Sequence, residues 1–131
     1  MRVKQVSVFV ENKPGRFMAV LEALEKDKIN IHGLSVSDAT DIGIVRMILT
    51  DPDKALADLK RAGFTVRTDW VVSAELPDVP GGLLHHVARP LSDAGVNLLY
   101  LYVYTDSTTG KTIAVVKTDD LDKAEKVLGR N

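Results

Sequence analysis

Glu11-Asn12-Lys13-Pro14-Gly15-Arg16-Phe17 and Pro77-Asp78-Val79-Pro80-Gly81-Gly82-Leu83 are two forms of one motif, a Pro-Gly turn entering a helical pattern. The two helical patterns end alike, in Asp27-Lys28-Ile29-Asn30-Ile31 and Ala94-Gly95-Val96-Asn97-Leu98. Pro14 and Pro80 are 66 positions apart, whereas Asn30 and Asn97 are 67 apart, so the second helix has gained one residue. A third correspondence follows in the same order, Thr50-Asp51-Pro52-Asp53-Lys54-Ala55 with Thr118-Asp119-Asp120-Leu121-Asp122-Lys123-Ala124. The chain is therefore a unit written twice.

Around these anchors the reading is the same in both copies. An apolar strand, Val3 to Val10 or Trp70 to Leu76, runs into the turn. The helix after it repeats apolar residues at three or four positions: Phe17, Leu21 and Leu24, then Leu84, Val87 and Leu91. Two strands follow, Ile31 to Ser37 and Ile42 to Leu49, matched by Leu98 to Thr105 and Thr112 to Val116 across the turn-forming loop Asp106-Ser107-Thr108-Thr109-Gly110. A second helix closes each unit. The first copy then has a fourth strand, Phe64 to Thr68, and the second stops without one.

This βαββα(β) string predicts an α+β fold, two ferredoxin-like units over 1-69 and 70-131, each an antiparallel sheet with helices on one face and the other face open. Each unit is short for a domain, so the two sheets are expected to associate side by side. The missing strand leaves an edge near Trp70 to Leu76 for another segment or chain to cover, which predicts at least a homodimer.

Composition narrows the function. Among 131 residues, 27% are charged, yet the net charge is -1, so nothing resembles the basic footprint of a nucleic-acid binder. With no cysteine there are no disulfides, thiolate metal sites or cysteine nucleophiles, and the start lacks a signal-peptide core, so a cytoplasmic protein is expected. No apolar run suits a membrane span. His85 and His86 are adjacent on a helix and point about 100° apart, a poor arrangement for sharing an ion, so no metal is expected. No pattern sets a His to activate a Ser and no phosphate loop is present. Neither an enzyme nor a cofactor is expected.

The Pro-Gly turn followed by Asn30-Ile31 resembles the ACT domain, most closely the regulatory domain of phosphoglycerate dehydrogenases. The second copy, with Gly95-Val96-Asn97-Leu98, resembles it too, and together they resemble stand-alone tandem ACT proteins. The resemblance implies a regulatory module that holds a small molecule, in all expectation an amino acid, at an interface between two ACT units. The ligand-contacting asparagines of serine-sensing relatives correspond to Asn12 and Asn30, and by repeat to Asp78 and Asn97. Their ligand-contacting His, two residues before the first Asn, is here Val10, and Leu76 in copy two, so that contact to serine is not reproduced.

The residues suit such a ligand on their own chemistry. A helix opening at Pro14-Gly15 or Pro80-Gly81 presents backbone N–H groups near Arg16 and Phe17, or Gly82 and Leu83, to a carboxylate. Gly15 and Gly81 allow close approach, and Asn12 or Asp78 offers oxygen acceptors for an ammonium. Asn30-Ile31 and Asn97-Leu98 open the next strand and complete the candidate set. The alternatives are structural: Asn12 and Asp78 as helix caps, Asn30 and Asn97 as left-handed helix ends. Tyr100, Tyr102 and Tyr104 alternate on one strand, opposite Leu101 and Val103, and are expected to form an exposed row on the open sheet face, a subunit contact or a wall of the ligand site.

Overall fold

The computed structural model describes residues 1-39 and 41-129. The elements follow the repeat: β1 (Arg2–Glu11), α1 (Arg16–Lys26), β2 (Ile31–Ala39), β3 (Ile42–Leu49), α2 (Pro52–Arg61), β4 (Thr65–Leu76), a π-helical turn (Leu84–Ala88) continuing into α3 (Arg89–Asp93), β5 (Leu98–Thr105), β6 (Thr112–Thr118) and α4 (Leu121–Leu128). The fold is α+β and ferredoxin-like in each copy, as the βαββα pattern predicts. Contacts divide the chain into two compact units, Lys4–Asp69 and a second that joins Met1–Val3 to the residues from Trp70 onward.

In the first unit the strands are ordered β2-β3-β1-β4. Val6 and Val8 of β1, Val45 and Met47 of β3, Val20 and Leu24 of α1, and Ala55 and Leu59 of α2 form its core. Each fully buried aliphatic side chain there contributes about 1.5–3 kcal/mol relative to exposure. Asp51 starts α2 by accepting a bond from the Lys54 N–H at 3.2 Å, with Pro52 in the first turn, where a missing N–H costs nothing. The opposite sheet face is not open as the sequence suggests. Gln5 and Ser7 are buried there, and Gln5 Nε2 donates to Ser7 Oγ at 3.3 Å while that hydroxyl donates to Asp69 at 3.4 Å. Arg67 pairs with Asp69 and lies over the Phe9 ring at 5.2 Å.

In the second unit β4, β6 and β5 are neighbours in that order. Val72, Ala74, Ala114 and Val116 pack under Val87, Leu91, Ala124 and Leu128 from the helices. Asp120 caps α4 as Asp51 caps α2, accepting from the Lys123 N–H at 3.1 Å. The missing fourth strand has a substitute that the sequence does not reveal. Ser73 N–H donates to the Met1 carbonyl at 2.7 Å, and the Met1 amine donates back to the Ser73 carbonyl at 2.8 Å. Arg2 adds ion pairs to Asp122 and Glu125 of α4. The β4 edge is thus covered by the chain's own first residues, and the argument for a dimer from an uncovered edge falls.

The single-residue gain in copy two is also accounted for. Gly15 and Gly81 correspond at the turns, but the buried helix residues that correspond are Val20 with Val87 and Leu24 with Leu91, one position further on. The extra residue therefore enters between Gly81 and Val87, where the π-helical turn lies, because a wider turn takes up one residue without rotating the apolar stripe off the core.

The tyrosine row differs from expectation. Leu101 faces the helix-covered core, so the tyrosines do lie on the other face, but Tyr102 is buried and Tyr100 and Tyr104 are half-buried. In the ladder Tyr102 stands opposite Val115 and Tyr104 opposite Ile113. Burial and the nearby Asp106 push the Tyr104 hydroxyl above its ordinary pKa. The exposed apolar residues are on the opposite side of the edge strands: Leu34 and Val36 on β2, Leu99 and Val103 on β5.

Candidate functional site

The two Pro-Gly turns have the backbone that their sequences require. Gly15 has φ 89° and Gly81 φ 80°, a left-handed conformation for which glycine is the suited residue. Gly15 is itself the residue preceding α1, and no side chain caps the helix. Asn12 instead extends the strand ladder, its N–H donating to the Asp41 carbonyl at 3.0 Å, so its exposed side chain is not a cap of α1. Two of the four amides expected to face a ligand are engaged inside the turns: Arg16 N–H donates to the Lys13 carbonyl at 3.3 Å and Gly82 N–H to the Val79 carbonyl at 3.0 Å. Phe17 and Leu83 follow them in each first turn. Lys13 bonds Glu11 at 3.0 Å and holds its carboxyl below the usual range.

The side chains sort further. Arg16 lies over the Phe64 ring at 5.3 Å, while Phe17 and Ile31 pack against the first core. Leu83 and Leu98 are exposed. Gly82 is buried, and a Cβ there would overlap the Pro77 carbonyl oxygen, so its missing side chain accommodates the chain itself rather than a ligand. Gly81 is overlain by the His85 ring, whereas the Cβ position of Gly15 has nothing within 4 Å.

Asn30 and Asn97 are held identically. Asn30 N–H donates to Thr50 Oγ1 at 3.0 Å and its carbonyl accepts from Thr50 N–H at 3.1 Å. Asn97 N–H donates to Asp119 Oδ1 at 3.0 Å and its carbonyl accepts from Asp119 N–H at 3.1 Å. Neither Asn is in the left-handed conformation; Lys28, at φ 57°, and Gly95, at φ 71°, take that role two residues earlier. A register shift recurs just beyond each Asn, between Ile31 and Gly33 and between Leu98 and Tyr100. Such bulges re-aim side chains at the start of a strand. Both asparagines have pinned backbones and exposed side chains.

Within one unit the structure does not bring Asn12 and Asn30 together. They stand at opposite ends of α1, whose 11 residues span about 16 Å at 1.5 Å each. Asp78 and Asn97 are likewise separated by the π-helical turn and α3. The second turn instead borders a cleft of about 450 Å³, which includes Glu75, Asp78, His86 and Lys111. The two adjacent histidines diverge, His86 lining this cleft and His85 lying over Gly81, with Arg89 Nη1 3.4 Å from its Nδ1. No cluster of three or more His, Cys, Asp or Glu occurs among the described residues, and no helix there is long and apolar enough to cross a membrane.

A second acidic feature joins the helices of the first unit. Asp58 is buried in α2, its Oδ1 accepting from Arg61 at 3.0 Å. Its buried Oδ2 has no hydrogen-bond donor, and Asp27 at the end of α1 is its neighbour. A hydrogen bond between the two carboxyls requires a shared proton, which with burial shifts Asp27 up and with Arg61 shifts Asp58 down.

No curated protein matches the sequence. Among solved structures, protein BT0572 from Bacteroides thetaiotaomicron is 38% identical, with a TM-score of 0.89 over 99% of this chain and 88% of that one. The ligand-free regulatory subunit of aspartate kinase from Thermus thermophilus is 13% identical, with a TM-score of 0.64 over 99% of this chain and 94% of that one. The aspartokinase alpha and beta subunits are 17% identical, with a TM-score of 0.60 over 98% and 95%. These last two show a shared fold. The profile of the ACT domain pair family matches residues 1–131, and with the doubled βαββα fold it establishes that this chain belongs to the ACT domain pair family.

Proposed function

We propose that the chain is a non-enzymatic regulatory module that binds a free amino acid between two ACT units, 1-69 and 70-131 being the units in chain order. The observation that carries this is the duplicated Asn30 and Asn97, each pinned through its backbone, followed by the same bulge and left with an exposed side chain. A side chain with no structural duty, presented identically twice, suits a ligand. Because Asn12 and Asn30 stand at opposite ends of α1, a ligand touching both kinds of residue bridges two units. Pro14 and Gly15 shape the turn, Phe17 N–H and the Arg16 cation face the carboxylate, and Asn12 accepts from the ammonium. Asp78, Gly81, Leu83, Asn97 and Leu98 form the corresponding set in copy two. In this reading the protein acts in the cytoplasm, and a homodimer would form through the exposed Leu34, Val36, Leu99 and Val103 of the edge strands rather than through the β4 edge.

Titration calorimetry with each of the twenty amino acids tests this. Asn12→Ala and Asn30→Ala are expected to weaken binding about 10- to 150-fold, the loss of a charge-assisted hydrogen bond. Since Asn12 does not cap α1, its replacement should leave stability within about 0.5 kcal/mol, which separates lost binding from unfolding. Wild-type affinity in both variants would remove them from the site. A second reading, an oligomerisation module without a ligand, is favoured by the exposed Leu34, Val36, Leu99 and Val103 on the edge strands. It predicts dimers by light scattering and no heat with any amino acid.

A further inference from the structure

Two of the places where copy two departs from copy one in length meet at one cavity. Two residues separate β2 from β3, whereas six separate β5 from β6. That longer hairpin is firmly built: Asp106 N–H donates to the Lys111 carbonyl at 2.8 Å, Gly110 N–H to the Asp106 carbonyl at 2.7 Å, and Thr108 N–H to the Asp106 carboxylate at 2.9 Å. It delivers Lys111 to the end of the β4–β6 ladder, where Leu76 pairs with Thr112. The other departure is the residue inserted ahead of Val87. An insertion turns the side chains before it by about 100° relative to those after it, and His86, inside the π-helical turn, lines the same space. The cavity measures about 450 Å³, within the range of small-molecule sites.

We propose that this cleft is a ligand site complete within the second unit, sharing Asp78 with the interface set, for a small zwitterion carrying an ammonium and a carboxylate. Its lining has an apolar floor, Leu76, between groups of both signs. Lys111 Nζ bonds Glu75 at 3.1 Å, so a carboxylate there is already satisfied by this lysine, and a ligand carboxylate would take the place of Glu75. Asp78, exposed on the cleft wall, supplies the acceptor for the ammonium, and His86 and Thr112 add polar contacts between them. Copy one lacks both the longer hairpin and the inserted residue, so the two units are unequal at this place. The proposal rests on the amino-acid-binding reading for the class of ligand, and differs from it in place.

The test uses the full chain, labelled with 15N and titrated with each of the twenty amino acids in turn. At least one should move the amide signals of Gly110, Lys111 and Thr112 and the ring signals of His86. Lys111→Met should weaken that amino acid about tenfold or more, and Asp78→Asn likewise, as each loses a charged partner. Glu75→Gln should tighten it by removing the internal competitor. Lys111 and Glu75 are 57% and 61% exposed, and an ion pair so exposed adds little to stability, so these variants keep the fold. Shifts confined to Asn12 and Asn30 and their neighbours would overturn the cleft while leaving the interface reading intact. An absence of shifts with every amino acid would overturn both. Unchanged affinity in Lys111→Met would overturn the cleft even if the signals of Gly110 to Thr112 move, because Lys111 belongs to the cleft and not to the interface set.

Discussion

Removing residues 1–3 tests the most consequential contact in the second unit. The deletion abolishes the reciprocal bonds between Met1 and Ser73, 2.7 and 2.8 Å long, each with a net contribution of about 0.5–1.5 kcal/mol. It also removes the Arg2 pair with Asp122, whose carboxylate is 89% exposed, so that pair adds at most about 1 kcal/mol. The expected loss is about 1–4 kcal/mol. At roughly 2.1 cal/mol/K per residue, a chain of this length has an unfolding entropy near 0.28 kcal/mol/K, which converts the loss to a fall in Tm of roughly 4–14 °C. Differential scanning calorimetry measures it, and the Ser73 amide, followed by hydrogen exchange, should lose protection while buried β6 amides exchange only as fast as global stability dictates. Arg2→Ala alone should cost under about 1 kcal/mol, which isolates the strand contribution. A Tm within about 2 °C of the parent with Ser73 still protected would refute the reasoning and restore the edge near Trp70 to Leu76 to another partner.

Three further outcomes follow from particular contacts. Gly95→Ala puts a Cβ at φ 71° in open space, so urea denaturation should show a loss of about 1–2 kcal/mol from the backbone alone, whereas Lys28→Gly, at φ 57° in the matching place, should lose nothing. Gly82→Ala sets a Cβ against the Pro77 carbonyl and should cost more than about 2 kcal/mol by the same assay, with the Pro77 to Gly82 turn displaced in NMR spectra. Asp58, shifted down, contributes stability that is lost as pH falls through its folded pKa; Asp27, shifted up by the same neighbour, contributes stability that is lost as pH rises through its own. Asp27→Asn keeps a donor for Asp58 at every pH, so it should be more stable than the parent at neutral pH, the difference closing on acidification below the Asp27 pKa; equal stability at neutral pH would count against the shared proton.

The sequence by itself determined the unit and its duplication. Pro14-Gly15 and Pro80-Gly81 can only be turns, and Leu24, Val87 and Leu91 are buried as their helical spacing predicts, although the structure buries Val20 where the spacing named Leu21 and leaves Leu84 exposed. All of these are rules of local geometry, reaching no further than a few residues, and they repeat because the copies repeat. The sequence also showed that one residue had been gained, but not that a π-helical turn absorbs it, since that depends on which side chains the core demands. The partner of the β4 edge lies 72 residues away at Met1, a pairing that no local pattern encodes. Equally, alternation put the tyrosines on the right face and misjudged their exposure, because the burial of Tyr102 depends on its tertiary surroundings rather than on its own strand. The candidate site divides in the same way. Its asparagines and turns are legible as residues, while the meeting of Lys111 with Asp78 and His86 around one cleft arises only where segments distant in sequence are brought together by the shared core.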